Sequence, residues 1–281
     1  MVSKPIAPFR RIVRLLVSAA TLVAGWAAWR TVKRSLTPVN PKLALRYGFE
    51  LTRRPHRVLA VSAHQDDLEL FAGGTLRLLS LAGSRITALI ATGGDRQYAD
   101  VRTLDEIREQ EQRDAGTILG YDDVRFLRYR DLEVGHNPNL TPAIRAVWED
   151  LQPDLVLAFD PTVPYHSATH TDHLAVGRAV LSVSRSMGKG SPTVLFYASR
   201  DPNVLVDISQ VILDKCEAIR AHRSQLYGWK RFYVPITRAQ ARIAGHPVGV
   251  PYAEPWRCLS LAQLGEAAYL ETWPGREPQL H

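Results

Sequence analysis

Five short apolar runs, each followed by a stretch of helical character, set the limits on how this chain can fold. The runs fall at 57–63, 85–92, 124–130, 155–160 and 193–199, and the helical stretches lie near 73–82, 103–119, 141–151, 171–187 and 210–223. Arg57-Val-Leu-Ala-Val-Ser-Ala63 and Leu155-Val-Leu-Ala-Phe-Asp160 lack the alternation of a half-exposed strand; they have the composition of strands buried on both faces. Such alternation of strand and helix predicts an α/β fold, a mostly parallel sheet covered by helices on both faces. A chain of 281 residues is long enough for one such domain with an appendage. The expected organisation is a hydrophobic segment over 1–34, a linker over 35–54, an α/β domain over 55–228 and an irregular, Pro- and Gly-rich extension over 229–281.

In open α/β sheets ligands bind beyond the carboxyl ends of the strands. The first run ends at His64-Gln-Asp66-Asp67-Leu-Glu69, with Gly73-Gly74 expected to open the following helix. Adjacent carboxylates on a near-extended loop point in different directions, so one can bind a metal while the other takes a proton from water. The competing reading is that Asp66 and Asp67 cap the helix. The fourth run leads through Pro161-Thr-Val-Pro-Tyr-His166-Ser-Ala-Thr-His170 into a helix that carries His173. His170 and His173 share a face if the turn is helical, and Asp172 between them can orient a ring. A catalytic zinc ion takes three protein ligands and keeps one position open. His64, Asp67 and one of the two histidines meet that count and leave the other free to stabilise an oxyanion.

These residues resemble the LmbE-like, or PIG-L-like, de-N-acetylases. That family carries a His-Pro-Asp-Asp-type motif after its first strand and a His-x-x-His motif after a later one, and the resemblance spans roughly residues 55–260. It implies a Rossmann-like sheet and hydrolysis of an N-acetyl group on an N-acetylglucosamine-type sugar conjugate. It also implies zinc on His64, Asp67 and His173, with Asp66 as general base, His170 at the oxyanion and Asp172 as the partner that orients His170. A His₂-carboxylate set also suits Fe²⁺ and other divalent ions. Thr92-Gly-Gly-Asp95, the helix of Arg108 and Glu111, and Tyr252-Ala-Glu254-x-x-Arg257 add to the resemblance, although Arg108 and Glu111 also fit a solvated helix face. Gln65 stands where the family has Pro, which loosens the backbone and removes no ligand.

The rest of the chain narrows the alternatives. Residues 1–40 hold Lys4, Arg10, Arg11, Arg14, Arg30, Lys33 and Arg34 and no acid; without them 28 bases face 28 acids. The basic excess therefore belongs to the leader, which argues against a nucleic-acid partner. Leu15–Trp29 is a continuous apolar stretch between basic flanks, with Trp26 and Trp29 near one end. A membrane anchor and a cleaved signal peptide (secreted or periplasmic product) both fit; the anchor is the expectation, since no Ala-x-Ala follows. The eukaryotic enzymes that this chain resembles also pair an N-terminal membrane segment with the catalytic domain. Neither reading fixes the side of the membrane. Cys216 and Cys258 lack metal-binding spacing, no Walker-type loop occurs, and the Gly-x-Ser-x-Gly elbow of serine hydrolases is missing. The rival functions are a tethered sugar-binding protein without turnover, and a metal hydrolase of another amide or a phosphoester.

Overall fold

The computed structural model describes residues 41–94, 101–162 and 171–258. In chain order its main elements are α1 (Pro41–Thr52), β1 (Arg57–Ser62), α2 (Asp67–Leu81), β2 (Arg85–Thr92), α3 (Val101–Leu119), β3 (Asp123–Tyr129), α4 (Leu140–Leu151) and β4 (Leu155–Phe159). There follow α5 (Thr171–Met187), β5 (Thr193–Tyr197), β6 (Val204–Asp207), α6 (Ile212–Ala221), α7 (Tyr233–Gly245) and β7 (Ala253–Cys258). The seven strands form one sheet in the order β3-β2-β1-β4-β5-β7-β6. The first five pair in parallel, whereas β7 runs antiparallel to both β5 and β6. The five apolar runs are therefore the five parallel strands. Helices α2, α3 and α6 pack together as one layer, and α4 packs with α5 as another.

Leu59, Ala60, Val61, Leu155, Val156, Leu157 and Ala158 are all buried without exposure, as strands covered on both faces require. Gly177 lets α5 settle against β4: a Cβ there would lie 2.4 Å from the Phe159 carbonyl oxygen. The chain runs outward from β1 through β2 to β3, then returns to place β4 on the other side of β1. The order thus reverses between β1 and β4, and loops leaving these strands diverge to open a crevice.

Four expectations need correction or limit. Residues 35–54 contain α1, whose Leu51 is 4% exposed, so part of the expected linker packs against the core. Helix α2 begins at Asp67, with Gly73-Gly74 inside it rather than at its start. The Gly74 and Thr75 amides donate to Glu254 at 2.8 and 2.7 Å, and a Cβ on Gly74 would meet Ile208 at 2.6 Å. Close approach, rather than helix initiation, thus accounts for the glycine. As far as Cys258, where the described residues end, the extension after Trp229 is not irregular, because it forms α7 and β7. Pro235 lies in the first turn of α7, where a missing amide hydrogen costs nothing. No helix among the described residues is long and apolar enough to cross a membrane. Leu15–Trp29 and the hydrophobic helix expected there lie outside the described residues.

Candidate active site

His64 leaves the end of β1 and His173 stands in the first turn of α5, beyond the end of β4, so the two arrive at the crevice from neighbouring strands. His64 Nδ1 lies 3.0 Å from His173 Nε2. Asp67, the first residue of α2, completes the group: Oδ1 is 3.3 Å from His173 Nε2 and Oδ2 is 3.5 Å from His64 Nδ1. Oδ2 also accepts the His64 amide at 2.7 Å, which fixes the carboxylate and turns Oδ1 to the crevice. Zinc bonds of about 2.0–2.2 Å in tetrahedral geometry set neighbouring donors about 3.3–3.6 Å apart. The two imidazole nitrogens at 3.0 Å and the His173–Asp67 Oδ1 contact at 3.3 Å lie just below and at the short end of that range. The 3.5 Å contact to His64 uses the other Asp67 oxygen, and one donor atom from each residue falls within 4.8 Å of the other two. Two imidazoles and one carboxylate are a donor set suited to a first-row divalent ion, and the three residues fit one.

The ring planes are held from outside this set. Phe159, at the end of β4, stacks on His173 with centroids 3.9 Å apart and planes at 14°. The other edge of His64 faces two carboxylates, since Nε2 is 3.5 Å from both Asp131 Oδ1 and Asp172 Oδ2. Asp172 is anchored in turn by the Leu132 amide at 2.7 Å. Carboxylates behind a ligating imidazole fix its orientation and raise its basicity. Asp172 thus stands behind the His64 ring, a contact beyond its expected pairing with His170. His170 itself lies outside the described residues. Asp131 carried no motif in the sequence; its one signal is its place just beyond the carboxyl end of β3.

Asp66 does not cap α2. It stands at the N-cap position with φ 94° and ψ −23°, and its side chain makes no capping hydrogen bond. A left-handed aspartate is uncommon and persists where its surroundings hold it. Gln65 is fully buried and donates from Nε2 to the carbonyls of Thr92 (3.2 Å) and Gly93 (3.0 Å). Far from loosening the loop, Gln65 ties it to the end of β2. Arg108 adds bonds to the carbonyls of Gly94 at 2.7 Å and Gln65 at 3.1 Å. Glu111 accepts the amide and hydroxyl of Ser224 at 2.7 and 2.6 Å. Arg108 and Glu111 are both buried, so the solvated-face reading of these two residues is corrected.

Electrostatics separate the two neighbouring aspartates. Burial, then the charge of Asp67, pushes the Asp66 carboxyl above its ordinary value, against the opposing fields of Arg108, His222 and Lys230. For Asp67 burial acts upward too, but His173 and His64 outweigh it and hold the carboxyl well below the usual carboxylate range. Burial would lower the His64 imidazole; Asp172, Asp67 and Asp131 overcome it and raise the ring to about 10. Adjacent groups driven apart in this way divide into a permanently charged ligand and a neighbour able to carry a proton. Lys230 and Tyr233 reach this region from the segment around the start of α7, and the charges of Asp66 and Asp67 add to burial in raising the Tyr233 hydroxyl. Neither residue carried a sequence signal.

A three-donor metal geometry with an adjacent basic carboxylate, at the switch point of a parallel sheet, defines the class of metal-dependent hydrolases. The family model described as PIG-L, GlcNAc-PI de-N-acetylase, matches residues 59–184. The chain is 33% identical over 186 residues to a probable N-acetyl-alpha-D-glucosaminyl L-malate deacetylase 2 of Bacillus cereus, covering 60% of this chain and 83% of that protein. The structure of N,N'-diacetylchitobiose deacetylase from Pyrococcus horikoshii, complexed with its inhibitor MPG, superposes with a TM-score of 0.68 at 26% identity, covering 77% of this chain and 88% of that one. This chain belongs to the PIG-L, or LmbE-like, de-N-acetylase family. The fold alone would not give the chemistry: 4-carboxy-2-hydroxymuconate hydratase from Pseudomonas putida shares it with a TM-score of 0.61 at 21% identity, covering 72% of this chain and 96% of that one.

Proposed function

We propose that this protein is a zinc-dependent de-N-acetylase acting on an N-acetylated amino sugar of N-acetylglucosamine type, carried on a larger conjugate. The observation that bears most weight is the convergence of one donor atom each from His64, Asp67 and His173 within 4.8 Å of one another, beside Asp66. The deacetylases among the relatives support the sugar class.

In this reading His64, Asp67 and His173 hold the ion. When bound, zinc supplies a Lewis acid that polarises the amide carbonyl and lowers the pKa of water. Asp66 takes the proton from the attacking water on its carboxylate and returns it to the amine nitrogen as the carbon–nitrogen bond breaks. The raised affinity of Asp66 for a proton suits both transfers. Asp67 stays ionised throughout, and Asp131 and Asp172 keep the His64 ring turned toward the ion. His170 immediately precedes α5; on the family resemblance it stabilises the oxyanion of the tetrahedral intermediate. We also propose that Leu15–Trp29 tethers the enzyme to a membrane, on the support of its continuous apolarity and basic flanks.

The test is acetate and amine release by the full chain on N-acetylglucosamine conjugates, with simple amides and phosphoesters alongside and metal content assayed in parallel. Metal-dependent release from the sugar conjugates is expected. Turnover confined to phosphoesters would overturn the deacetylase reading, and bound metal without turnover of any substrate would favour the sugar-binding protein. Resistance of the full chain to extraction from membranes by alkaline carbonate is the expected result for the tether.

A further inference from the structure

Beneath the His64–Asp67 loop lies a buried polar chain that the mechanism does not use. Gln112, on α3, is fully buried; its Oε1 accepts the Asp66 amide at 3.3 Å and its Nε2 donates to Glu69 Oε1 at 2.9 Å. Glu69 is equally buried. The same Oε1 accepts the Tyr121 hydroxyl at 3.0 Å, and Oε2 meets His222 Nε2 at 3.0 Å. His222 is 1% exposed and is held by Glu69 at that nitrogen, its Nδ1 having no hydrogen-bond partner among the described residues.

The direction of each bond follows from donor inventory. An ionised carboxylate only accepts, so Glu69 draws donors from Tyr121, His222 and the nitrogen side of the Gln112 amide. A reversed amide would set the Gln112 oxygen against a carboxylate oxygen and its nitrogen against the Asp66 N–H. Glu69 therefore dictates that the Gln112 oxygen faces Asp66. Asp66 in turn has a positive φ and no side-chain capping bond, so the orientation of its peptide depends on external contacts. Gln112 supplies the bond to its amide.

We propose that Gln112 is a positioning residue for the general base. It holds the Asp66 peptide in the left-handed conformation on which the direction of its carboxylate depends, and Glu69, His222 and Tyr121 set the Gln112 amide. This rests on the reading of Asp66 as the base given above. Among the described residues Gln112 bonds to the Asp66 amide and to Glu69 and to none of the side chains of His64, Asp67 and His173, so its effect should separate from metal binding.

Gln112→Met keeps the length and apolar stem and removes both bonds. Expected are a kcat lower by about 10-fold to 100-fold, a KM within about twofold of wild type, unchanged metal content, and faster hydrogen exchange of the Asp66 amide in the metal-free protein. Wild-type kcat with wild-type exchange would overturn the proposal, as would a loss of turnover explained wholly by loss of metal. Gln112→Glu is the second variant, since it reproduces both bonds only while its carboxyl carries a proton. Its turnover relative to wild type should rise toward lower pH; a profile parallel to wild type overturns the proposal even if Gln112→Met does not fold. A wild-type protein inactive on every N-acetylated sugar would sink the deacetylase reading and this inference together, whereas an active wild type with an equally active Gln112→Met sinks only the inference.

Discussion

Asp172 stands in the first turn of α5, yet its Oδ2 lies 3.5 Å from Nε2 of His64, on the ring edge opposite the donor nitrogen Nδ1. The Leu132 amide pins the same oxygen at 2.7 Å. Burial opposes the charge of Asp172, but the bonds to His64 and Leu132 win and hold its carboxyl below the ordinary value. An ionised partner behind a ligating histidine strengthens the ligand, so Asp172→Asn should weaken metal affinity by about 10–100-fold. Competition against a chromophoric chelator measures this directly. An unchanged affinity would mean that Asp131, at the same distance, suffices alone.

Asp66→Asn should remove the proton acceptor and leave the donor set intact. Loss of general base catalysis lowers kcat by about 10²–10⁴-fold. Metal content should stay at the wild-type level, because His64, Asp67 and His173 keep their mutual distances without the Asp66 carboxylate. Activity near wild type would assign the base elsewhere and remove the mechanistic argument for this pair of aspartates.

The five parallel strands were legible in sequence because each signal is local, and the candidate cluster of His64, Asp67 and His173 was legible from its motifs, with His173 set apart from His170 only by the family resemblance. A buried strand is a continuous apolar run; His64 and Asp67 lie just beyond the first of these, and His173 opens the helix that follows the fourth. Strands β6 and β7 escaped detection because β6 is a four-residue edge strand and β7, set between β5 and β6, includes Pro255 and Arg257 and has no apolar run of its own. The long-range supports were equally hidden. Glu69 meets Gln112, Tyr121 and His222 only once α2, α3 and α6 share a layer. Asp131 and Gln65 illustrate the same limit: a loop carboxylate and an apparent loosening of a motif acquire their roles from what the fold sets opposite them.

Glu254 is predicted to be the costliest single position away from the active site. It accepts the Gly74 amide, the Thr75 amide and the Thr75 hydroxyl, and it pairs with Lys215, which like Glu254 is 2% exposed. Glu254→Ala leaves the Lys215 ammonium buried with no hydrogen-bond acceptor among the described residues. The expected loss is about 3–5 kcal/mol, roughly 10 °C or more in apparent Tm. Lys215→Met should cost less, because three N–H and O–H donors still serve the Glu254 carboxylate. Thermal unfolding of the two variants tests the ranking; a larger loss in Lys215→Met would show that the hydrogen bonds to α2 contribute little.

Asp160, at the end of β4, yields a pH-dependent prediction. Burial works against its charge, but Ser199, the Thr162 hydroxyl and amide, and the Arg257 guanidinium together lower its carboxyl below the ordinary value. Arg257 Nη1 lies 3.1 and 3.0 Å from the two carboxylate oxygens and 2.7 Å from Thr162 Oγ1, which joins β7 to the start of the loop that leads toward His170. A carboxyl with a depressed folded-state pKa adds stability above its unfolded value of about 3.9 and loses it as pH falls through the folded value. Asp160→Asn should therefore be less stable than wild type near neutral pH, by about 3 kcal/mol for a broken, largely buried pair. The difference should hold down to about pH 4 and shrink below it, as wild type takes up the proton that the variant has no site for. Denaturant unfolding at several pH values follows the gap. A difference that persists undiminished in acid would assign the loss to packing or to the Thr162 bonds rather than to the charge of Asp160.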